Sequence, residues 1–333
     1  MTNRSTELDR GNLASLLERE RKTYRESHPK SLALYKDAKN LFGGVPMPWM
    51  NKWVGGFPLY MQGAKGNIIT DVDGHEYIDF ALGDTAAMTG HSPDASVKAT
   101  IDRMQDLGGI TTMMPTEDAQ WVGAELTRRF KVPLWSFTVS ATDSNRWAIR
   151  LARLATGKSK ILVFSYCYHG SVDETFGVLD SSGNTVSRPG NVAPPVPIDQ
   201  TTRVVEFNDL PGLEAALKHG DVAAILTEPA LTNIGIVLPE PGYLEGMREL
   251  STKYGALLMI DETHTISAGY GGMTLRDKLD PDIFIIGKSI GGGIPSAAYG
   301  FTEEVAARVS ASSASAWLSA VSSARPAIGL SAA

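Results

Sequence analysis

The sequence predicts an α/β protein: a mostly parallel sheet flanked by helices, with a smaller N-terminal α/β segment before it. Three observations predict this. From about residue 95 to 308, short apolar runs alternate with amphipathic helical stretches, as parallel strands joined by helical crossovers do. Ahead of that region, apolar residues alternate around an Asp-Gly turn at Asp73-Gly74, which is a hairpin signal. The length is 333 residues, with 43% hydrophobic and 20% charged side chains. That suits roughly two globular domains able to bury a core without disulfides or structural metals.

Residues 1–94 read as a helical arm followed by a small-domain segment. The first 40 or so residues are polar and helix-forming, with short apolar stripes at Ser15-Leu16-Leu17-Glu18 and Leu32-Ala33-Leu34-Tyr35. The Gly-, Pro- and Trp-rich stretch from Gly43 to Pro58 must be loop. Leu59-Tyr60-Met61, Asn67-Ile68-Ile69-Thr70 and Glu76-Tyr77-Ile78-Asp79-Phe80 then supply the hairpin. Residues 95–308 form the large domain. Helices are expected near 94–107 and 117–130, then strand 135–139, helix 143–156 and strand 160–164. Residues 181–200, with prolines at 189, 194, 195 and 197, are expected to be a long loop. Strand 204–207, helix 210–219, strand 222–226, helix 242–254, strand 256–260 and strand 283–286 complete the series. There is no internal repeat. Residues 309–333 differ in kind: from Ser310 onward, 16 of 24 residues are Ser or Ala.

Charge and composition exclude several classes. With 31 basic and 37 acidic residues the net charge is −6, which lacks the basic stripe of a nucleic-acid or anionic-membrane surface. No stretch approaches the roughly 20 apolar residues of a membrane span. The N-terminal region is charged throughout and has no apolar core of a secretory signal. One cysteine, Cys167, rules out an internal disulfide and a cysteine-only metal cluster. A reduced, cytoplasmic enzyme is the expectation.

An open parallel sheet carries its site at the carboxyl ends of its strands. Those ends present Ser140-Ala141-Thr142-Asp143-Ser144-Asn145, Tyr166-Cys167-Tyr168-His169-Gly170, Thr227-Glu228-Pro229, Asp261-Glu262-Thr263-His264 and Gly287-Lys288. Ser140 and Thr142, opening a helix, can hold a phosphate through free backbone amides, or can simply cap the helix. Lys288 follows a strongly apolar strand, so it is either covalently used, as in a Schiff base, or it snorkels out of a loop. Asp261 needs a cationic or hydrogen-bonding partner, for which a protonated pyridine nitrogen, a lysine and a metal are the candidates. Asp261, Glu262 and His264 are metal-ligand types, but neighbours on a strand face opposite ways, and no metal is expected. Tyr168 can stack on a flat ring or lie in an interface. His169 reads as a hydrogen-bonded structural histidine and Cys167 as a small buried hydrophobe. The signatures of serine hydrolases, P-loop NTPases and dinucleotide-binding folds are missing.

Taken together, Ser140-Ala141-Thr142, Tyr168-His169-Gly170, Glu228-Pro229, Asp261-Glu262-Thr263 and Lys288 with Gly291-Gly292-Gly293 resemble the class III aminotransferases. These are fold-type I enzymes that use pyridoxal 5′-phosphate (PLP). The 27-residue step from Asp261 to Lys288 (288 − 261) fits that family. Gly43-Gly44-Val45, Gly55-Gly56-Phe57-Pro58-Leu59, Asp71-Val72-Asp73-Gly74 and Thr89-Gly90-His91-Ser92-Pro93 resemble glutamate-1-semialdehyde aminomutase and its aminotransferase relatives. The resemblance runs from about residue 30 to 308. It implies that Lys288 forms the Schiff base and then carries protons, and that Asp261 binds the pyridine nitrogen. It also implies that Tyr168 and Thr263 lie on the two faces of the ring and that Ser140, Ala141 and Thr142 hold the phosphate. Glu228 and His169 would support them from behind.

The implied activity is transfer of an amino group between an amine or amino acid and a keto acid or aldehyde, in a homodimer. Intramolecular transfer by an aminomutase is the alternative, and a truncated, non-catalytic member of the fold is a further one. Three departures bear on the choice. Ala141 stands for the family's glycine, and Met50, with Lys52 nearby, stands where the aminomutase has a carboxylate-binding arginine. His264 and Ser267 also differ from the commoner residues. Transamination, in a pocket with Trp49 and Trp53 near its mouth, is therefore the preferred reading. Residues 310–333 match neither the family's phosphate-reaching threonine nor its C-terminal domain, and the expectation is a truncated chain with a frameshifted tail.

Overall fold

Two units make up the chain in the computed structural model, which describes residues 9–108 and 114–312. One comprises Met1–Leu82 with Thr89–Pro93, the other Gly83–Met88 with Asp94–Ala333. The Ser/Ala-rich tail beyond residue 312 and the expectation attached to it lie outside the described residues.

In the first unit, helix α1 (Arg10–Ser27) starts where the Asp9 carboxylate accepts the Asn12 amide, and it buries none of its residues. Helix α2 (Pro29–Asp37) carries proline in its first turn, where no intrahelical donor is lost. Its opening amides, Lys30 and Ser31, donate to the Asp73 carboxylate at 2.7 and 3.0 Å. Strands β1 (Met61–Lys65), β2 (Ile68–Asp71) and β3 (Glu76–Ile78) form an antiparallel meander. The Asp-Gly turn joins β2 to β3, as the sequence predicts. The fully buried Asp71 holds that turn together by accepting from the amides of Asp73 and His75 and from the Tyr77 hydroxyl.

The second unit is built on a seven-stranded sheet. Helices α3 (Asp94–Asp102) and α4 (Glu117–Phe130) lead into β4 (Leu134–Thr138), then α5 (Ala141–Thr156) and β5 (Lys160–Phe164). The short hairpin β6 (Gly177–Leu179) and β7 (Thr185–Ser187) follows, then β8 (Thr202–Val205), α6 (Leu210–Leu217), β9 (Val222–Thr227) and α7 (Tyr243–Tyr254). β10 (Leu257–Asp261), α8 (Gly272–Arg276), β11 (Ile283–Ile286), β12 (Ala297–Phe301) and α9 (Glu303–Ser312) complete it. The sheet order is β4-β12-β11-β10-β9-β5-β8, and β12 alone runs antiparallel to its neighbours. Strands β9, β10 and β11 are buried along their whole length. Unbroken apolar runs such as Val222-Ala223-Ala224-Ile225-Leu226 are what a sheet covered on both faces requires. Helix α5 turns Ala148, Ile149, Leu151 and Ala152 into this core.

The structure departs from the sequence reading at three places. Residues 181–200 are not wholly loop, because β7 pairs with β6 through Gly177–Leu179 and Thr185–Ser187. Strand β8 lies two residues earlier than expected, since its partner β5 ends at Phe164 and the ladder runs out at Val205. β12 carries no signal in the sequence. Ala297-Ala298-Tyr299-Gly300-Phe301 has no β-branched residue and contains a glycine, so its strand character comes from two flanking ladders.

That glycine has a steric reason. A Cβ at Gly300 would lie 2.8 Å from Val132 Cγ1 and 2.9 Å from Trp135 Cε3. Overpacking of this kind costs about 1–3 kcal/mol. Gly300→Ala is therefore expected to lower the urea midpoint with an unchanged slope, and an unaltered midpoint would show that the indole yields freely.

Candidate active site

Four parallel strands, β5, β9, β10 and β11, end at one edge of the sheet, and the β4–α5 turn joins them there. Asp261 is the last residue of β10 and is buried. Its Oδ2 accepts from Asn145 Nδ2 at 3.0 Å and from His169 Nδ1 at 2.9 Å, and its Oδ1 accepts from the Thr263 amide at 3.0 Å. Burial alone pushes this carboxyl up. The hydrogen bond and charge of His169, with the bonds from Thr263 and Asn145, outweigh burial and bring it down to about 2. Burial opposes a charged His169 in turn, yet the Cys167 sulfur and the Asp261 carboxylate hold its pKa well above the ordinary value.

Around this pair lie buried polar atoms with no hydrogen-bond partner: His169 Nε2, Asn145 Oδ1, Thr263 Oγ1 and Glu228 Oε1. Glu228 is buried beyond the end of β9, and its other oxygen accepts from the Thr232 hydroxyl. Burial raises its pKa, against the lowering effect of the His169 charge.

Lys288 follows β11 by two residues and has a left-handed backbone, φ +50°. For a non-glycine residue that conformation is uncommon and is a form of strain found at functional sites. Its Nζ lies 2.9 Å from His264 Nε2 and 3.3 Å from Asp84 Oδ2. The other imidazole nitrogen is 3.2 Å from Thr85 Oγ1.

Helix α5 opens with Ser140 as its N-cap, whose hydroxyl accepts the Asp143 amide at 3.2 Å. The amides of Ala141 and Thr142 belong to the first turn and have no intrahelical acceptor. They open a sixteen-residue helix whose aligned dipoles point their positive end outward here. Thr142 Oγ1 accepts from the Ser171 amide at 3.2 Å. A Cβ on Gly170, which has φ +78°, would lie 2.1 Å from that oxygen, so only glycine lets the 166–171 loop approach the helix start. Ala141 is not among the residues with positive φ, so its methyl group is compatible with the turn.

The strand-end residues singled out in the sequence lie at this edge of the sheet, with different burial. Asp261, His169, Glu228 and Thr263 are buried, Ser140, Ala141 and Thr142 are half-buried, and Tyr168 is 42% exposed. Asp261, Glu262 and His264 do not converge as metal ligands. Glu262 faces away from Asp261 and accepts from the Thr265 and Thr274 hydroxyls and the Met273 amide. Cys167 is buried, as expected. Trp49 and Trp53 are exposed residues of the first unit. Sequence reasoning placed Asn145 at this edge without giving it a role, and it missed Asp84 and Thr85. Asn145 had a usable signal, a polar residue on the buried face of an amphipathic helix. Asp84 and Thr85 had none, being loop residues remote in sequence from their partners; Thr85 and His264 are 179 positions apart. No helix among the described residues is long and apolar enough to cross a membrane.

The family model for class-III aminotransferases matches residues 49–324. The chain belongs to the class-III aminotransferase family. Among its relatives is a glutamate-1-semialdehyde 2,1-aminomutase of Roseiflexus castenholzii, 38% identical over 285 residues, covering 84% of this chain and 64% of that protein. A crystal structure of a glutamate-1-semialdehyde-aminomutase from Pseudomonas aeruginosa is 47% identical, with a TM-score of 0.87 over 91% of this chain and 66% of that one. A variant of that protein has been solved in complex with PMP. An omega-transaminase from Sphaerobacter thermophilus is 31% identical, with a TM-score of 0.77 over 83% of this chain and 64% of that one. The chain thus spans about two thirds of the length of these aminotransferase-family relatives.

The Asp261–His169 pair makes stability depend on pH in a defined window. Asp261, lowered from 3.8 to about 2, contributes stability that is present above about pH 4 and lost as pH falls toward 2. His169, raised above 6.5, contributes stability that is full below 6.5 and lost as pH climbs through its raised value. The contribution is complete between about pH 4 and 6.5. Urea unfolding of the parent and Asp261→Asn should therefore differ most in that window and less on either side. A difference independent of pH would contradict the ion pair.

Proposed function

We propose that the chain binds PLP at this edge of the sheet and transfers an amino group between an amine or amino acid and a keto acid or aldehyde. The observation that carries the reading is the acceptor capacity of Asp261. A carboxylate offers about four acceptor positions. The protein fills three of Asp261's, and the group is ionised although buried. The remaining position suits a ring N–H that is to be kept protonated, and the unpartnered Thr263 hydroxyl lies beside it in sequence.

When bound, the cofactor supplies an electron sink for charge that develops on the substrate carbon. Lys288 would contribute the nucleophilic amine and could move a proton at that carbon. Asp261 keeps the ring nitrogen protonated, and Asn145 and His169 hold the carboxylate in place. The Ala141 and Thr142 amides, the Ser140 hydroxyl and the α5 dipole bind the phosphate. Tyr168 and Thr263 would flank a bound ring, and the buried Glu228 lies beside His169.

Similarity to aminomutases favours a second reading, intramolecular transfer on a single substrate. Omitting the keto or aldehyde acceptor separates the two, since an aminomutase turns over without one.

The test of the site is an absorbance spectrum of the chain after addition of PLP and removal of the excess. A band that borohydride abolishes is expected in the parent and not in Lys288→Ala. A folded parent with no such band would leave a non-catalytic member of the fold.

A further inference from the structure

His264 lies where a proton leaving Lys288 would go. The Thr85 hydroxyl donates to the Asp84 carbonyl at 2.6 Å, which leaves its lone pairs to face His264 Nδ1 at 3.2 Å. The hydrogen of the imidazole is therefore on Nδ1, and the Nε2 lone pair points at Lys288 Nζ, 2.9 Å away. The opposite tautomer would set two N–H donors against each other. Asp84 and Thr85 reach this position through left-handed backbone, φ +59° and +70°, which is costly for β-branched Thr85. The imidazole is 18% exposed, so water can carry a proton away from it.

We propose that His264 is the proton acceptor for Lys288, freeing the amine for attack on a carbonyl carbon; this rests on the Lys288 role assigned above. The ammonium gives one proton to Nε2, and the electron pair released forms the Nζ–C bond. The two hydrogens left on nitrogen depart with the carbonyl oxygen as water. The proton on His264 passes to solvent, which restores the base. Three charged groups face the imidazole: Lys288 from the segment after β11, Asp84 from the 83–88 loop and Asp261 from the end of β10. Burial and the Lys288 charge lower the His264 pKa, against the raising effects of Asp84 and Asp261. The ring is thus a neutral base at physiological pH. Asp84, 3.3 Å from Nζ, stabilises the positive charge while it moves between the two nitrogens.

The experiment uses the PLP-free chain. PLP is added, the reaction is quenched with borohydride at intervals, and labelled Lys288 is quantified by peptide mapping across pH, with Lys288→Ala as blank. His264→Gln is expected to slow capture by about a hundredfold or more near pH 7 and to approach the parent rate in strong alkali, where hydroxide replaces the base. Parental rates in His264→Gln at every pH would overturn the proposal and leave the Lys288 reading standing. No labelled Lys288 in the folded parent would overturn both. Should His264→Gln fail to fold, the parent profile decides: an acid limb below 6.5 supports His264 as the base, and a rate that rises only in the alkaline range overturns it.

Discussion

A carboxylate cut off from water at the end of a central strand is the constraint on which the rest of the second unit depends. Asp261 stays ionised there only because donors arrive from separate elements: Asn145 from α5, His169 from the loop after β5 and the Thr263 amide from the turn that follows β10. Each donor requires further structure. Asn145 needs the apolar stripe of α5 seated on the sheet, and His169 needs the 166–171 loop drawn in, which Gly170 permits. Removing any one of these would leave a buried charge short of partners, a large penalty in a water-free site.

The same constraint explains the division of labour between neighbours on one strand end. Asp261 and Glu262 are adjacent in sequence and both buried, yet they do unlike things. Glu262 is enclosed by the Thr265 and Thr274 hydroxyls and the Met273 amide, and burial pushes its pKa up; it anchors the turn into α8. Asp261 is held down by a histidine and faces the crevice. Strand alternation separates an acid that builds the protein from an acid aimed at chemistry.

Much of this was legible in the sequence because it depends on runs and ends. Unbroken apolar runs marked β9, β10 and β11, and the residues just past each strand end placed Asp261, Lys288 and the α5 start at one edge. The illegible part depends on partners. β12 is strand only because β4 and β11 flank it, and its composition argues for none. Asp84 and Thr85 meet His264 through four consecutive left-handed residues, Leu82 to Thr85, of which only Gly83 declares such a turn. Ala141 illustrates another case: it stands where a glycine is usual, and its backbone avoids the left-handed region in which a side chain would be strained.

The antiparallel course of β12 gives Lys288 an unusual mounting. In a β–α unit the residue after the strand leads into a helix that can slide on the sheet. Here the chain leaves β11, passes Lys288 and returns within ten residues, Gly287 to Ser296, as the neighbouring strand. Both ends of the segment are hydrogen-bonded into the middle of the sheet. The lysine backbone is thereby clamped like the bight of a staple, and any travel of its amine between His264, Asp84 and a bound molecule must come from the four methylenes of its side chain.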